Sequence, residues 1–127
     1  MAAAGPGQGQ LLPQTLAEDS RIDWSWPAER LERLVRAQSD PYPNAYAFHR
    51  GERLRIVSAG VSEGRYGGTP GRIFIREGDG VVVVAGADAY TGRCRGLLVR
   101  RVRTDDGAEY SAAEYFPTMG GYLTSHP

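Results

Sequence analysis

Residues 72–85, RIFIREGDGVVVVA, decide the class of fold because they hold two strand patterns joined by a tight turn. The first half alternates, which predicts that Ile73 and Ile75 point inward while Phe74 faces outward or toward a partner. The EGDG sequence in the middle is typical of a hairpin turn. The four valines that follow predict a strand covered on both faces, by a barrel interior and by a helix or a partner surface.

Further strand patterns lie on both sides of this hairpin at short intervals. They are expected at residues 45–49, at 53–58 and at about 95–103, and residues 69–71, Thr-Pro-Gly, predict a type II turn. Five or six short strands separated by turn signals are typical of a small barrel, closed or partly open, like the oligonucleotide-binding fold. The fold class is therefore expected to be mainly β.

An amphipathic helix is predicted before the strands. Ser25 and Pro27 provide its start signal, and its apolar residues recur at helical spacing. Glu29 and Arg33, like Glu32 and Arg36, stand four residues apart on the polar side. The apolar positions are Ala28, Leu31, Leu34 and Val35.

The stretch SDPYPNAY, residues 39–46, connects this helix to the first strand. A residue before proline is disfavoured in the helical region, so the helix is expected to end near Ser39 and the chain to form a rigid corner. Tyr42 and Asn44 within it are interpreted as structural. At the other end, Ser111 and Glu114 form a capping box that predicts a short closing helix.

The domain organisation follows from composition. Residues 1–19 are expected to be a linker and residues 20–127 one barrel domain. The N-terminal segment has neither a charged signal-peptide start nor a long apolar run, so a cytoplasmic protein without contact with a membrane is expected. Cys94 is the only cysteine, which excludes an internal disulfide.

The charges are unevenly distributed although the formal net charge of the chain is zero. Residues 50–103 hold eleven arginines and five acidic residues, a net charge of +6, and all fifteen basic residues of the chain are arginine. Arginine is suited to bidentate contact with phosphate or carboxylate. Aromatic residues accompany it in this half of the chain and could stack on nucleotide bases. They are Tyr42, Tyr46, Phe48, Tyr66, Phe74 and Tyr90.

The residues needed for catalysis do not converge in the sequence. His49 and His126 are the only candidate bases for a nucleophile, and both are interpreted as structural or exposed. Two distant histidines and one cysteine give no metal-ligand spacing. No phosphate-binding glycine loop is present, because GTPG lacks the Lys-Ser/Thr of a P-loop. We therefore expect no catalytic residues, no metal site and no autonomous enzymatic activity.

Several motifs resemble one known family. The order and spacing of Ile22-Asp23-Trp24, Ala28, residues 34–37 and residues 41–45 are similar to the start of the C-terminal domain of the methionyl-tRNA formyltransferase family. Further similarity follows in residues 68–71 and in EGDGVVVVAGADA, and GQGQLLPQ resembles the family's interdomain linker. The resemblance implies an accessory barrel that normally accompanies an N-terminal catalytic domain, which binds 10-formyltetrahydrofolate and is absent from this chain.

Three functions are considered, the first two following from this resemblance and the third independent of formyl transfer. The first is binding of tRNA or another phosphate-bearing amine substrate for a separate catalytic domain, with no cofactor held by this chain. The second is packing or homodimerisation in a small-molecule or sugar N-formyltransferase, through the outer face of the valine strand and Phe74. The third is a free-standing nucleic-acid-binding module. The residues expected to contact phosphate are Arg53, Arg55, Arg93, Arg95, Arg100, Arg101 and Arg103.

Overall fold

The computed structural model describes residues 20–39, 42–66, 68–87, 92 and 94–127, and confirms a mainly β domain with two helices. The linker predicted at residues 1–19 lies outside the described residues. The elements in chain order are α1 (Ala28–Ala37), β1 (Ala45–His49), β2 (Glu52–Arg65), β3 (Ile73–Glu77), β4 (Gly80–Ala87), β5 (Cys94–Thr104), β6 (Glu109–Ser111), α2 (Ala112–Tyr115) and β7 (Leu123–Thr124).

All strands pair antiparallel in one curled sheet with the order β3-β4-β5-β2-β1-β7, and β6 pairs with β5. Its two ends meet where the start of β3 contacts the segment before β7. The Leu123 amide donates to the Gly71 carbonyl at 2.7 Å, and the Ile73 amide donates to the Gly121 carbonyl at 3.0 Å. These few bonds make the sheet a partly open barrel, as the turn-rich sequence predicts.

The remaining opening is crossed by the segment that precedes α1. The Ile22 amide donates to the Tyr46 carbonyl of β1 at 2.8 Å. Four residues later the Trp26 carbonyl accepts from the Gly86 amide of β4 at 2.9 Å. A side chain at position 86 would collide with the backbone of Ser25, so only glycine permits this approach. The segment therefore ties β1 to β4 on the open side of the barrel.

Helix α1 forms over the predicted residues and buries the predicted face. Leu31 and Val35 are buried in the core, and Glu32 forms the predicted ion pair with Arg36 at 3.4 Å. The residue at the N-cap is Pro27, without a side-chain cap; Ser25 instead donates its hydroxyl to the Asp23 carboxylate at 2.6 Å.

The corner at residues 39–46 is held by backbone hydrogen bonds where it is described, among them one from the Tyr42 amide to the Ser39 carbonyl at 3.1 Å. Asp40 and Pro41 lie outside the described residues. Asn44 is buried with a left-handed φ of 64°, a conformation that asparagine tolerates better than most residues. The backbone amide of Asn44 donates to the Gln38 carbonyl at 2.9 Å. The structural role expected for Asn44 is thus confirmed. The capping box between Ser111 and Glu114 is also present.

The four valines of β4 are fully buried, as predicted. Val81 and Val83 face the core, whereas Val82 lies on the outer side against Gly96, over which the ring of Tyr66 packs. The chain itself therefore covers the outer side, and the predicted docking through the outer face of these valines is wrong.

The predicted turn geometry is confirmed around β3, but one side chain differs. Gly71 has a φ of 94° and the Arg72 amide donates to the Thr69 carbonyl, as a type II turn requires. Ile73 is buried as expected, but Ile75 is 47% exposed, so its predicted inward position is wrong. The cause is a β-bulge between Ile73 and Ile75, which breaks the alternation of side chains.

Candidate phosphate-binding face

Four of the predicted arginines lie together on the outer side of the barrel. In the β2–β5 register, Arg55 is opposite Arg103. The neighbouring positions Leu54, Ile56 and Val102 are fully buried, so the intervening side chains point outward. We call this surface, formed by Arg53, Arg55, Arg101 and Arg103, the arginine face.

Asp105 binds the β2 half of the arginine face. Its carboxylate accepts from the Nε of Arg53 at 3.1 Å and lies 3.8 Å from the Nε of Arg55. Arg55 also donates to the Pro43 carbonyl at 2.6 Å, which fixes its side chain along the corner after α1.

Glu109 of β6 binds the β5 half. Its two carboxylate oxygens accept from Arg101 at 2.6 Å and from Arg103 at 2.8 Å. These two hydrogen bonds hold the pKa of the Glu109 carboxyl below its usual range. Arg103 also donates to the Oδ1 of the buried Asn44 at 3.0 Å. Among the described residues, these four guanidinium groups share the carboxylates of Asp105 and Glu109, which orient their side chains.

Aromatic side chains border the arginine face on β1. Tyr46 is opposite Arg55 and Phe48 is opposite Arg53, and the two rings meet edge to face with centroids 5.8 Å apart. The Arg53 guanidinium lies 5.6 Å from the centre of the Tyr46 ring. An arginine cluster beside half-buried aromatic rings is suited to a ligand with both phosphate and planar groups.

An open depression of about 650 Å³ adjoins this border. Phe48 and Arg53 line one part of it, and Glu52, Asp105 and Asp106 give the remainder acidic character. The Asp106 carboxylate accepts hydrogen bonds from the Thr104 hydroxyl and the Ala108 amide, which lower the pKa of Asp106. The mixed charge favours an amine-bearing group more than a phosphate in this depression.

Two of the other predicted phosphate-binding residues, Arg95 and Arg100, do not join the arginine face. Arg95 donates to Glu29 of α1 at 2.8 Å, so Glu29 pairs across the fold and not with Arg33 as the helical spacing suggests. Arg100 lies at an irregularity of the β2–β5 register, with its guanidinium over Gly60. Arg93 lies outside the described residues.

The described residues contain no group of three or more His, Cys, Asp or Glu side chains that could hold a metal ion. His49 packs edge to face against Phe116 with ring centroids 5.0 Å apart and against Tyr115 at 5.8 Å. Burial, followed by the nearby charge of Arg50, lowers the pKa of His49. No helix in the described part of the chain is long and apolar enough to cross a membrane.

Asp105 and Glu109 belong to the candidate site but were not predicted from the sequence. A signal for Glu109 was available, because the Asp-Asp-Gly turn at 105–107 predicts a hairpin, and a hairpin places Glu109 opposite Arg103. The pairing of Asp105 with Arg53, fifty-two residues away in sequence, depends on the register of β2 against β5 and has no local signal.

Comparisons with known proteins agree with this fold. The sequence model of the family described as "Formyl transferase, C-terminal domain" matches residues 16–119. Methionyl-tRNA formyltransferase from Pseudomonas fluorescens strain Pf-5 is 39% identical over 122 residues, which cover 90% of this chain and 35% of that protein. The protein of the same name from Chloroflexus aurantiacus is 48% identical over 73 residues, covering 57% of this chain and 23% of the relative.

Among solved structures, HypX from Aquifex aeolicus, crystallised in complex with tetrahydrofolic acid, superposes with a TM-score of 0.60 at 17% sequence identity. The match covers 84% of this chain and 17% of HypX, and it concerns the fold. The curated relatives are much longer, since this chain spans about a quarter to a third of their length.

Proposed function

Because the chain belongs to the family of formyl transferase C-terminal domains, we propose that it is the accessory substrate-binding domain of a methionyl-tRNA formyltransferase-like enzyme. It holds tRNA, or another phosphate-bearing amine, while a separate catalytic domain transfers the formyl group. Both relatives described above carry the name of an enzyme that acts on a tRNA, which is why tRNA is the first substrate considered. A cytoplasmic location is part of this proposal.

The observation that carries the proposal is the arginine face. Its guanidinium groups are already oriented by hydrogen bonds to two carboxylates, so they can donate to phosphate oxygens with little loss of side-chain entropy. Phosphate oxygens would replace Asp105 and Glu109 as acceptors. Because a ligand must compete with these two carboxylates, single anions bind weakly, and a ligand that presents several phosphates at the spacing of the arginine face is favoured.

The contribution of this chain to formyl transfer is positioning. A substrate anchored through phosphate has its amine held near the catalytic domain, which converts an encounter between free molecules into an effectively intramolecular step. The formyl donor implied by the family is 10-formyltetrahydrofolate, which supplies an activated one-carbon group in the catalytic domain. The depression beside Phe48 is open and acidic, and such a surface does not suit a folate, whose glutamate carboxylates are anionic.

A second function, packing or dimerisation, is favoured by one observation. Phe74, Ile75 and Tyr122 are 38%, 47% and 49% exposed on the outer side of the barrel, away from the arginine face. Exposed apolar residues that cluster in this way are typical of protein contacts. This contact surface is compatible with substrate binding because the two functions use different strands.

The proposal is tested by titrating labelled tRNA and, separately, a phosphorylated amino sugar against the 127-residue chain over a series of salt concentrations. The comparison is between the wild type, Arg53→Gln and Arg101→Gln. Each lost phosphate contact should weaken tRNA binding and reduce the slope of log affinity against log salt by about one. Arg33→Gln is the matched control, because it removes an exposed arginine from α1.

An affinity for tRNA that does not depend on salt would contradict the proposal, as would an equal effect of Arg33→Gln. Tighter binding of the phosphorylated amino sugar than of tRNA would support the arginine face as the binding site but identify a different substrate. Adding a formyltransferase catalytic domain separates the accessory role from a free-standing nucleic-acid module, since only the accessory domain stimulates formylation.

A further inference from the structure

The β-bulge in β3 creates an apolar surface that a regular strand would not have. In a bulge of this kind two consecutive residues face one residue of the neighbouring strand, and their side chains lie on the same side. Here Phe74 and Ile75 face Val82, which is on the outer side of β4. Both side chains are therefore on the outer side of the barrel.

Two further residues extend this surface across the barrel closure. Arg72 forms an antiparallel bridge with Tyr122, so their side chains lie next to each other. Arg72 precedes the buried Ile73 and points outward, with its guanidinium 5.8 Å from the centre of the Phe74 ring. We call the surface formed by Tyr66, Arg72, Phe74, Ile75 and Tyr122 the β3 patch.

The β3 patch has a fixed base. The Tyr66 ring contacts the Phe74 ring at a centroid distance of 5.2 Å, and the Tyr66 hydroxyl lies 2.8 Å from the hydroxyl of the buried Ser62. Ser62 also donates to Glu77 at 3.3 Å. Rings that are already held in position lose little entropy on binding, so the patch is pre-organised for a contact.

The composition of the β3 patch fits a protein surface better than a nucleic acid. Tyrosine, phenylalanine and arginine are enriched at the energetically dominant positions of protein interfaces. Ile75 is aliphatic and cannot stack on a base, and Glu77 at the border of the patch would repel phosphate. The excess of arginine lies elsewhere, on β2 and β5.

The course of the chain indicates which protein covers the patch. Residues 20–22 run beside β1 on the edge that β7 also uses, since Arg21 bridges Tyr46 and Leu123 pairs with His49. The described chain thus begins on the same edge of β1 that β7 uses, with residue 20 at the start of β1 and Tyr122, which precedes β7, at its end. The relatives carry roughly two thirds or more of their length beyond the part matched here.

We propose that the β3 patch is the docking surface for the formyltransferase catalytic domain, which would offer an apolar depression with a carboxylate for Arg72. The inference rests on the proposed function, because it takes the catalytic domain as the partner, and adds the location of the contact. Docking here leaves the arginine face open, so that one domain could hold a phosphate-bearing substrate while the other reacts with its amine.

The test uses the full chain and, as the probe, the portion of the Pseudomonas fluorescens relative that this chain does not match. Because a tether normally supplies a high effective concentration, the two are mixed at roughly millimolar concentration. Hydrogen exchange is measured over residues 72–77 and 120–124. Protection of both segments is expected, and Ile75→Ser should weaken the association by roughly tenfold or more. Tyr42→Ser is the control, since Tyr42 is similarly exposed, at 50%, but lies outside the patch.

Absence of protection at the β3 patch overturns the inference, and so does protection that Ile75→Ser does not remove. Light scattering of the chain alone tests for a homodimer. If the chain forms a homodimer in which the β3 patch is protected, the patch binds a second copy of the chain and the inference is overturned. Binding of tRNA is measured on the same variants. Ile75→Ser should leave it unchanged, whereas Arg101→Gln should weaken it without affecting docking, so the failure of one proposal is distinguished from the failure of the other.

Discussion

Replacement of Gly71 by alanine tests how the barrel closes. Gly71 has a φ of 94°, which disfavours any residue with a Cβ, and an alanine Cβ would collide with the carbonyl oxygen of Leu123. The contact lies at the junction of β3 with the segment before β7. Alanine would therefore push the two ends of the sheet apart.

The size of the effect follows from two contributions. The left-handed backbone costs about 1–3 kcal/mol for a residue other than glycine. Separation of the sheet ends loses three backbone hydrogen bonds, between Leu123 and Gly71, Ile73 and Gly121, and Gly120 and Ile73. At about 0.5–1.5 kcal/mol for each bond, and with the backbone cost added, the total destabilisation is roughly 2.5–7.5 kcal/mol.

Urea unfolding followed by tryptophan fluorescence measures this change. Gly107→Ala is the matched control, because Gly107 has a similar φ of 90° but no atom within 4 Å of the added Cβ. It should cost only the backbone contribution, about 1–3 kcal/mol. Equal losses for Gly71→Ala and Gly107→Ala would refute the claim that the sheet is closed by tight contact at Gly71.

Three further predictions concern stability. Leu31→Ala should lower the free energy of unfolding by about 2–5 kcal/mol because Leu31 is fully buried. Arg33→Ala, on the exposed side of α1, should change it by less than about 0.5 kcal/mol, and equal effects of the two variants would show that α1 is not packed as described. Ser111→Ala should cost about 0.5–2 kcal/mol by removing the cap of α2, and an unchanged urea midpoint would contradict this. The pKa of His49 is lowered in the folded state, so the unfolded chain binds a proton more readily, and the free energy of unfolding should fall as the pH decreases below 6.5. His49→Gln should lack this part of the pH dependence, and a pH profile identical to that of the wild type would contradict the lowered pKa of His49.

Local signals in the sequence were sufficient for most of the fold. The EGDG turn, the valine run and the Ser111 capping box each depend on residues close together in the chain, and the structure contains all three. Strand β7 has only two residues and no periodic pattern, so it was not predicted. The bulge that exposes Ile75 depends on the register of β3 against β4, which alternation alone does not specify.

The candidate site was predictable only in part for the same reason. Arg53 and Arg55 stand two residues apart in a predicted strand, a spacing that places both on one face, and the structure has them there. Their meeting with Arg101 and Arg103 depends on the pairing of β2 with β5, and Arg95 is bound by Glu29 sixty-six residues earlier in the chain. The sequence therefore predicted a set of candidate arginines that includes the four of the arginine face, but not which of them lie together.

The substrate-binding claim is tested most directly by Glu109→Gln, which removes the carboxylate that now binds Arg101 and Arg103. The measurement is tRNA affinity as a function of salt, compared with the wild type and with Arg101→Gln. The account predicts that Glu109→Gln binds tRNA more tightly and with a steeper salt dependence, while Arg101→Gln binds more weakly with a slope reduced by about one. Unchanged or weaker tRNA binding by Glu109→Gln would contradict the assignment of the arginine face as the phosphate-binding site.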